Sequence, residues 1–106
     1  MAKTTTVSKN FTGSSQTGDA LFVYGNFSLS ISIGSGTWTA GNVVIQRSKD
    51  NSTWHDVDSF STVEETAGYE PVKMYYRATT DGSFNGTDVD VVLYKEGKES
   101  DTVIMY

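Results

Sequence analysis

The sequence predicts an all-β domain, a two-layer antiparallel β-sandwich of seven to eight strands, and three observations carry that prediction. Turn dipeptides and Gly, Asn, Asp or Ser clusters recur roughly every eight to twelve residues, and no stretch has a helical apolar period. Phe27, Leu29, Ile31 and Ile33 alternate with Asn26, Ser28, Ser30 and Ser32, so apolar groups fall on one face and small polar groups on the other. Residues 43–60 read as a hairpin: Val-Val-Ile-Gln-Arg-Ser, then a polar Lys-Asp-Asn-Ser-Thr turn, then Trp-His-Asp-Val-Asp-Ser-Phe. A closed small barrel is the alternative architecture.

The elements follow in chain order. Residues 1–10 form a polar, Thr-rich arm or a first edge strand, and residues 11–106 the single domain. Residues 20–24 make a short apolar strand that Gly25 ends, before the alternating strand closed by Gly34-Ser35-Gly36. Within the hairpin, Val43 and Ile45 share a face. Trp54 and Val57 differ in parity, so both point inward only across a bulge; Trp54 is expected in the core between two sheets. Residues 66–71 form a turn-rich connection. Val72, Met74, Tyr76 and Ala78 then face in, while Lys73, Tyr75 and Arg77 face out. Asp81-Gly82 and Asn85-Gly86 are turns bracketing Ser83-Phe84, with Phe84 at or near the tip. Val89, Val91 and Leu93 line one face of the next strand. Residues 102–106, Thr-Val-Ile-Met-Tyr, make a last strand so apolar that it must pair with a sheet or a partner.

Totals narrow the function classes. The chain has 106 residues, net charge -5, one His and no Cys. Disulfides and thiolate metal sites are therefore excluded, and a nucleic-acid surface is not expected without a basic patch to neutralise phosphates. No apolar run approaches a membrane span or a signal-peptide core, which points to synthesis in a cytoplasm without export. Ser and Thr make up about a quarter of the chain, so its matches to the glycosylation pattern, such as Asn26-Phe27-Ser28, are read as chance and unmodified.

No catalytic residue, metal site or cofactor is assigned. His55 is the one imidazole, and on a strand it faces away from its neighbours Asp56 and Asp58. Asp88 and Asp90 share a face and could hold a cation or raise a pKa, although such a pair is usually a solvated surface. The aromatic residues Trp38, Tyr69 and Phe84, with Tyr75, are the candidates for a contact surface, because exposed rings stack on sugars or anchor interfaces. For Trp38 the first reading is a cap on the end of the sandwich, and an exposed contact is the second.

Residues 44–57, Val-Ile-Gln-Arg-Ser-Lys-Asp-Asn-Ser-Thr-Trp-His-Asp-Val, together with Glu70-Pro71 and Tyr75-Tyr76-Arg77, resemble small structural proteins of tailed bacteriophages. The resemblance spans roughly residues 20–94. It departs in the turn, where Asn51-Ser52 stands in place of the Gly-Gly often found in that family. It implies an immunoglobulin-like or jelly-roll-like module on a virion: a capsid decoration protein, or a tail or fibre adaptor or tip that recognises a host receptor or glycan. The implied partners are the major capsid protein or other virion proteins and further copies of the chain, a trimer first among the symmetric assemblies. The implied location is the virion, assembled in the host cytoplasm. The polar arm and the apolar residues 103–106 would then be the grips on neighbouring subunits.

Overall fold

A computed structural model describes residues 5–95. Its strands are β1 (Thr6–Phe11), β2 (Leu21–Ile33), β3 (Trp38–Ala40), β4 (Val43–Ser48), β5 (His55–Phe60), β6 (Glu64–Thr80), β7 (Asn85–Gly86) and β8 (Val89–Lys95). Six of them form one antiparallel sheet in the order β1-β8-β2-β6-β4-β5, and β3 pairs with β7 in a small second sheet. The all-β, antiparallel expectation is met, with no helix among the described residues. The expected strand at residues 102–106 lies outside them.

Two long strands organise the sheet. The first residues of β2, Leu21 to Val23, pair with Tyr76 to Met74, and from Gly25 onward β2 pairs with Glu70 and the residues before it. Across that shift β2 advances by two residues and β6 by four, so Pro71, Val72 and Lys73 stand opposite Tyr24 alone. This is a bulge with two extra residues on β6, and a bulged strand bends. The sequence supplies what the bend needs. Pro71 has no N–H to lose from the ladder, and Gly25 sits at φ +106°, a conformation that side chains with a Cβ rarely adopt. Two expectations are corrected here. Gly25 does not end a strand, and residues 66–71 are strand, not a connection. Both breakers sit opposite each other at the one place where pairing is interrupted anyway. Val72, expected inside, is 52% exposed because it is one of the extra bulge residues.

Beyond the bend the two strands take different neighbours. The later half of β2 pairs with β8, and β8 with β1. The later half of β6 pairs with β4, and β4 with β5. The sheet thus has two flanks that share one core. Phe11, Leu29, Ile31, Val89, Val91 and Leu93 come from one flank; Leu21, Val23, Val43, Ile45, Met74, Tyr76 and Ala78 come from the other. Phe27 and Tyr76 meet between them with ring centroids 4.6 Å apart. Burying each such aliphatic side chain contributes about 1.5–3 kcal/mol, which is why the alternating pattern dictates which face turns in. The polar arm becomes an edge strand from Thr6 onward, and Phe11 at its end is fully buried.

Three aromatic placements differ from expectation or refine it. Trp54 is only half-buried and outside the core; the Arg77 guanidinium lies 4.2 Å from its ring centre. The β4–β5 ladder does carry a bulge, since Ile45 pairs with Asp58 and Gln46 with Asp56, but the extra residue Val57 stays 50% exposed. Phe84 is not at a loop tip. Asn85-Gly86 is a short strand on β3, and Phe84, 4% exposed, closes the end of the core against Trp38 at 5.6 Å between ring centroids. The Trp38 indole N–H donates to the Gly41 carbonyl at 3.1 Å. Gly41, at φ +76°, lies flat on the Phe84 backbone, where any Cβ would collide.

Phe84→Ala is expected to lower stability by about 3–5 kcal/mol, the cost of emptying a buried aromatic site. Tyr69→Ala, on the exposed surface, should change it by less than about 0.5 kcal/mol. Urea unfolding of the two variants checks the contrast.

Candidate functional site

The densest polar cluster sits at the bend. Arg47 of β4 pairs across the ladder with Tyr76 of β6. Glu70 lies six residues before Tyr76, and the bulge between them lets its carboxylate reach back to both. Its Oε1 accepts from Arg47 Nε at 2.7 Å and from the Tyr76 hydroxyl at 2.6 Å. Its Oε2 accepts from a terminal Arg47 nitrogen at 2.7 Å and from the Val72 backbone N–H at 3.2 Å. Glu70 is 1% exposed, while Arg47 remains about a third exposed. The Arg47 hydrogen bonds outweigh burial and hold the carboxyl down at about 2, with Tyr76 and the Val72 N–H adding to the effect. Burial, reinforced by the hydrogen bond to Glu70, pushes the Tyr76 phenol up to about 12, so it stays a donor. The Arg47 guanidinium is raised in turn by Glu70. Chemically this carboxylate is a poor base: it is strongly acidic, shielded from solvent, and accepts four hydrogen bonds. The cluster braces the sheet.

On the opposite face the neutral Gln46 amide links an arginine to a carboxylate. Arg77 Nε donates to Gln46 Oε1 at 2.8 Å, Gln46 Nε2 donates to Asp56 Oδ1 at 2.9 Å, and the Arg77 guanidinium stacks on Trp54. Gln46-Arg47, Trp54, Asp56, Glu70-Pro71 and Tyr76-Arg77 therefore meet on the two faces of one patch of sheet. The Arg47–Glu70 pairing joins positions 23 apart, and only the strand order brings them together. In the hairpin turn, Asp50 Oδ1 accepts from the Ser52 and Thr53 N–H groups at 2.9 and 2.8 Å, with Asn51 at φ +60°. Those backbone donors lower the Asp50 pKa.

The remaining polar candidates are engaged differently from a reactive site. Asn10 Nδ2 donates to Asp88 at 2.9 Å and to Asp90 at 2.7 Å, so an amide bridges the two carboxylates. Asp88 Oδ2 also accepts from the Ser35 N–H at 2.6 Å. The Asn10 and Ser35 donors lower the Asp88 pKa, opposite to the rise that an unbridged like-charged pair produces. No cluster of three or more potential metal-binding side chains occurs among the described residues. His55 is exposed on β5, opposite Arg47 in the ladder.

The contact candidates separate. Trp38 and Phe84 come together as the plug described above, with Phe84 inside the core and so removed from any contact surface. Tyr75 packs on Phe22 at 5.1 Å on the outer face of the bend. Tyr69 stands apart, 67% exposed, on the rim of an open apolar groove of about 260 Å³. Phe27, Leu29, Ile45, Val57 and Tyr76 help line that groove. It runs between the flanks beside residues 66–69 of β6, and Phe27 can lie across its floor because residue 68 is glycine: a Cβ there would sit 2.8 Å from the ring. The groove exists because of the bend, so nothing local in the sequence marks it.

The brace sets a pH signature. Glu70 titrates below its ordinary value of 4.5, at about 2 when folded. Its contribution is therefore full above about pH 5 and lost as pH falls toward 2. Arg47→Met should cost about 2–4 kcal/mol at pH 7, toward the low end of breaking a buried pair because Arg47 is partly solvated. The deficit should shrink by pH 3.5, where the orphaned carboxyl protonates. Urea titrations of both proteins from pH 7 to 3.5 measure this; a pH-independent deficit would exclude the brace as its source.

Compared with known proteins, the chain matches no family model, no curated protein and no solved structure.

Proposed function

We propose that this chain is a non-enzymatic structural module of a bacteriophage virion, a capsid decoration protein that binds the assembled shell and stabilises it. The observation that carries the reading is the convergence of the resemblance residues on one brace. The Gln-Arg, Glu-Pro and Tyr-Arg pairs serve rigidity, the property a shell-bound tile requires, and Glu70 is acidic and enclosed. We read the two flanks of the bent sheet as the layers of an immunoglobulin-like or jelly-roll-like sandwich. The edge strands β1 and β5 each have one unpaired side among the described residues, and such sides template contact with neighbours. The partners in this reading are the major capsid protein and further copies of the chain, a trimer on a local three-fold position. The net charge of -5 gives no surface for nucleic acid.

A tail or fibre role is the second reading, favoured by the exposed ring of Tyr69 beside an apolar groove. One experiment separates the two. Purified protein is added to shells and, separately, to tails that lack it. Decoration requires saturable binding to shells at a fixed copy number and a higher shell disruption temperature. Binding to tails alone, with shell stability unchanged, would overturn it. In that case Tyr69→Ala should reduce host adsorption while leaving the unfolding midpoint in place.

A further inference from the structure

Three cation–aromatic contacts gather on the outer face of the bend. Such pairs occur about once in 70–80 residues, so three of them side by side in a chain of 106 residues mark a patch. Phe22 and Tyr24 alternate with the buried Leu21 and Val23 on β2, and their rings are 41% and 58% exposed. Phe22 lies opposite Tyr75 of β6, and Lys73 and Arg77 flank Tyr75 along that strand. Lys73 Nζ lies 5.9 Å from the Tyr24 ring centre and Lys95 Nζ 5.6 Å from that of Phe22, while Arg77 stacks on Trp54. Lys95 Nζ also donates to the Phe22 carbonyl. The carboxylates at the β4–β5 side of this row already accept protein donors: Asp56 from Gln46, and Asp50 from Ser48, Ser52 and Thr53. A row of cations and exposed rings favours an anionic, partly apolar partner.

The same chain carries the complementary surface. The groove of about 260 Å³ has an apolar floor that includes Phe27 and Tyr76, and Asp58 lines it. It is smaller than the roughly 300 Å³ at which small-molecule pockets begin, a size suited to a protein side chain. Its rim is acidic and apolar, with Val57, Asp58 and Tyr69 exposed. Asp58 Oδ1 accepts from the Ser59 N–H at 2.9 Å, and a carboxylate has room for further donors. An apolar groove with a carboxylate at its rim is the counterpart of an exposed ring with an ammonium beside it. Tyr24 and Lys73 are such a pair, facing each other across the bulge between β2 and β6. Neither Lys73 nor Asp58 belongs to an ion pair among the described residues. With a net charge of -5, the remainder of a second copy presents the cationic row with opposite charge.

We propose that the Tyr24–Lys73 pair of one copy docks in the groove of a second copy, with the Tyr24 ring against the apolar floor and the Lys73 ammonium against Asp58. The two surfaces are different patches, so each copy supplies one and receives the other, and such a contact can close into a ring. A three-membered ring is the trimer read above. The inference rests on further copies of the chain being partners and needs nothing of the shell. Saturable shell binding by a protein that is monomeric in solution would sink this contact and leave the decoration reading standing.

Sedimentation velocity on the full chain, over a series of protein concentrations, tests it. The wild-type protein should self-associate, and more weakly as salt is raised. Lys73→Glu and Asp58→Lys should each weaken association at least about tenfold, because each brings like charges together. Asp58→Lys reduces the net negative charge of the chain, so an unspecific charge effect would strengthen association instead. Both reversals combined in one chain should restore it, since the pair is rebuilt with its polarity exchanged. Tyr24→Ala should also weaken association at least about tenfold, whereas Tyr24→Phe should preserve it. All three positions are exposed, so the variants should keep their unfolding free energy within about 0.5 kcal/mol of the wild type, checked in urea. A monomer at every concentration, single reversals that leave association unchanged, or a double reversal that fails to restore it would overturn the proposal.

Discussion

The structure depends on one buried carboxylate. Glu70 sits where two long strands turn from one flank of the sheet to the other, with 1% of its surface exposed. A buried carboxylate without partners would protonate or destabilise the fold. Here Arg47, Tyr76 and the Val72 N–H supply four hydrogen bonds. Each donor comes from a different structural decision: the β4–β6 register, the alternation along β6, and the bulge created at Pro71. Satisfying that one group fixes how β4 and both halves of β6 lie relative to one another. The flanks, the shared core and the groove between them follow from that arrangement.

What the sequence made legible was local. Alternation at Phe27, Leu29, Ile31 and Ile33 gives the inward face of β2 because period two is a property of any strand. The hairpin of β4 and β5 follows from a turn whose Asp50 side chain organises its own backbone. Long-range consequences were hidden. Gly25 and Pro71 look like strand ends when read singly, and become parts of one bulge only when the chain pairs them. Phe84 looks like a loop-tip ring between two Gly-containing turns, and is core because Asn85-Gly86 pairs with β3 and pulls it inside. Trp54 looks like a core residue by size, but its place before β5 leaves it outside the core, under Arg77. The Arg47–Glu70 contact could have been suspected only by asking why opposite charges stand inside two apolar-flanked strands.

The same distinction applies to function. Residue types that suggest chemistry in the sequence are held in structural roles: Asn10 bridges Asp88 and Asp90, Gln46 links Arg77 to Asp56, and Glu70 is enclosed by donors. In the function proposed above, these contacts serve the rigidity of a tile that meets its neighbours through surfaces and edges. Tyr69 is the one sequence-selected aromatic residue that lies largely exposed beside a concavity.

The most direct test of the account is a double-mutant cycle between Arg47→Met and Glu70→Gln, measured by urea unfolding at pH 7. If the ion pair holds the bend, the two losses will be far from additive, with a coupling of at least about 1.5–2 kcal/mol, within the range for residues that share one network. Losses that simply add, to within about 0.5 kcal/mol, would mean that Arg47 and Glu70 act independently and that something else shapes the sheet.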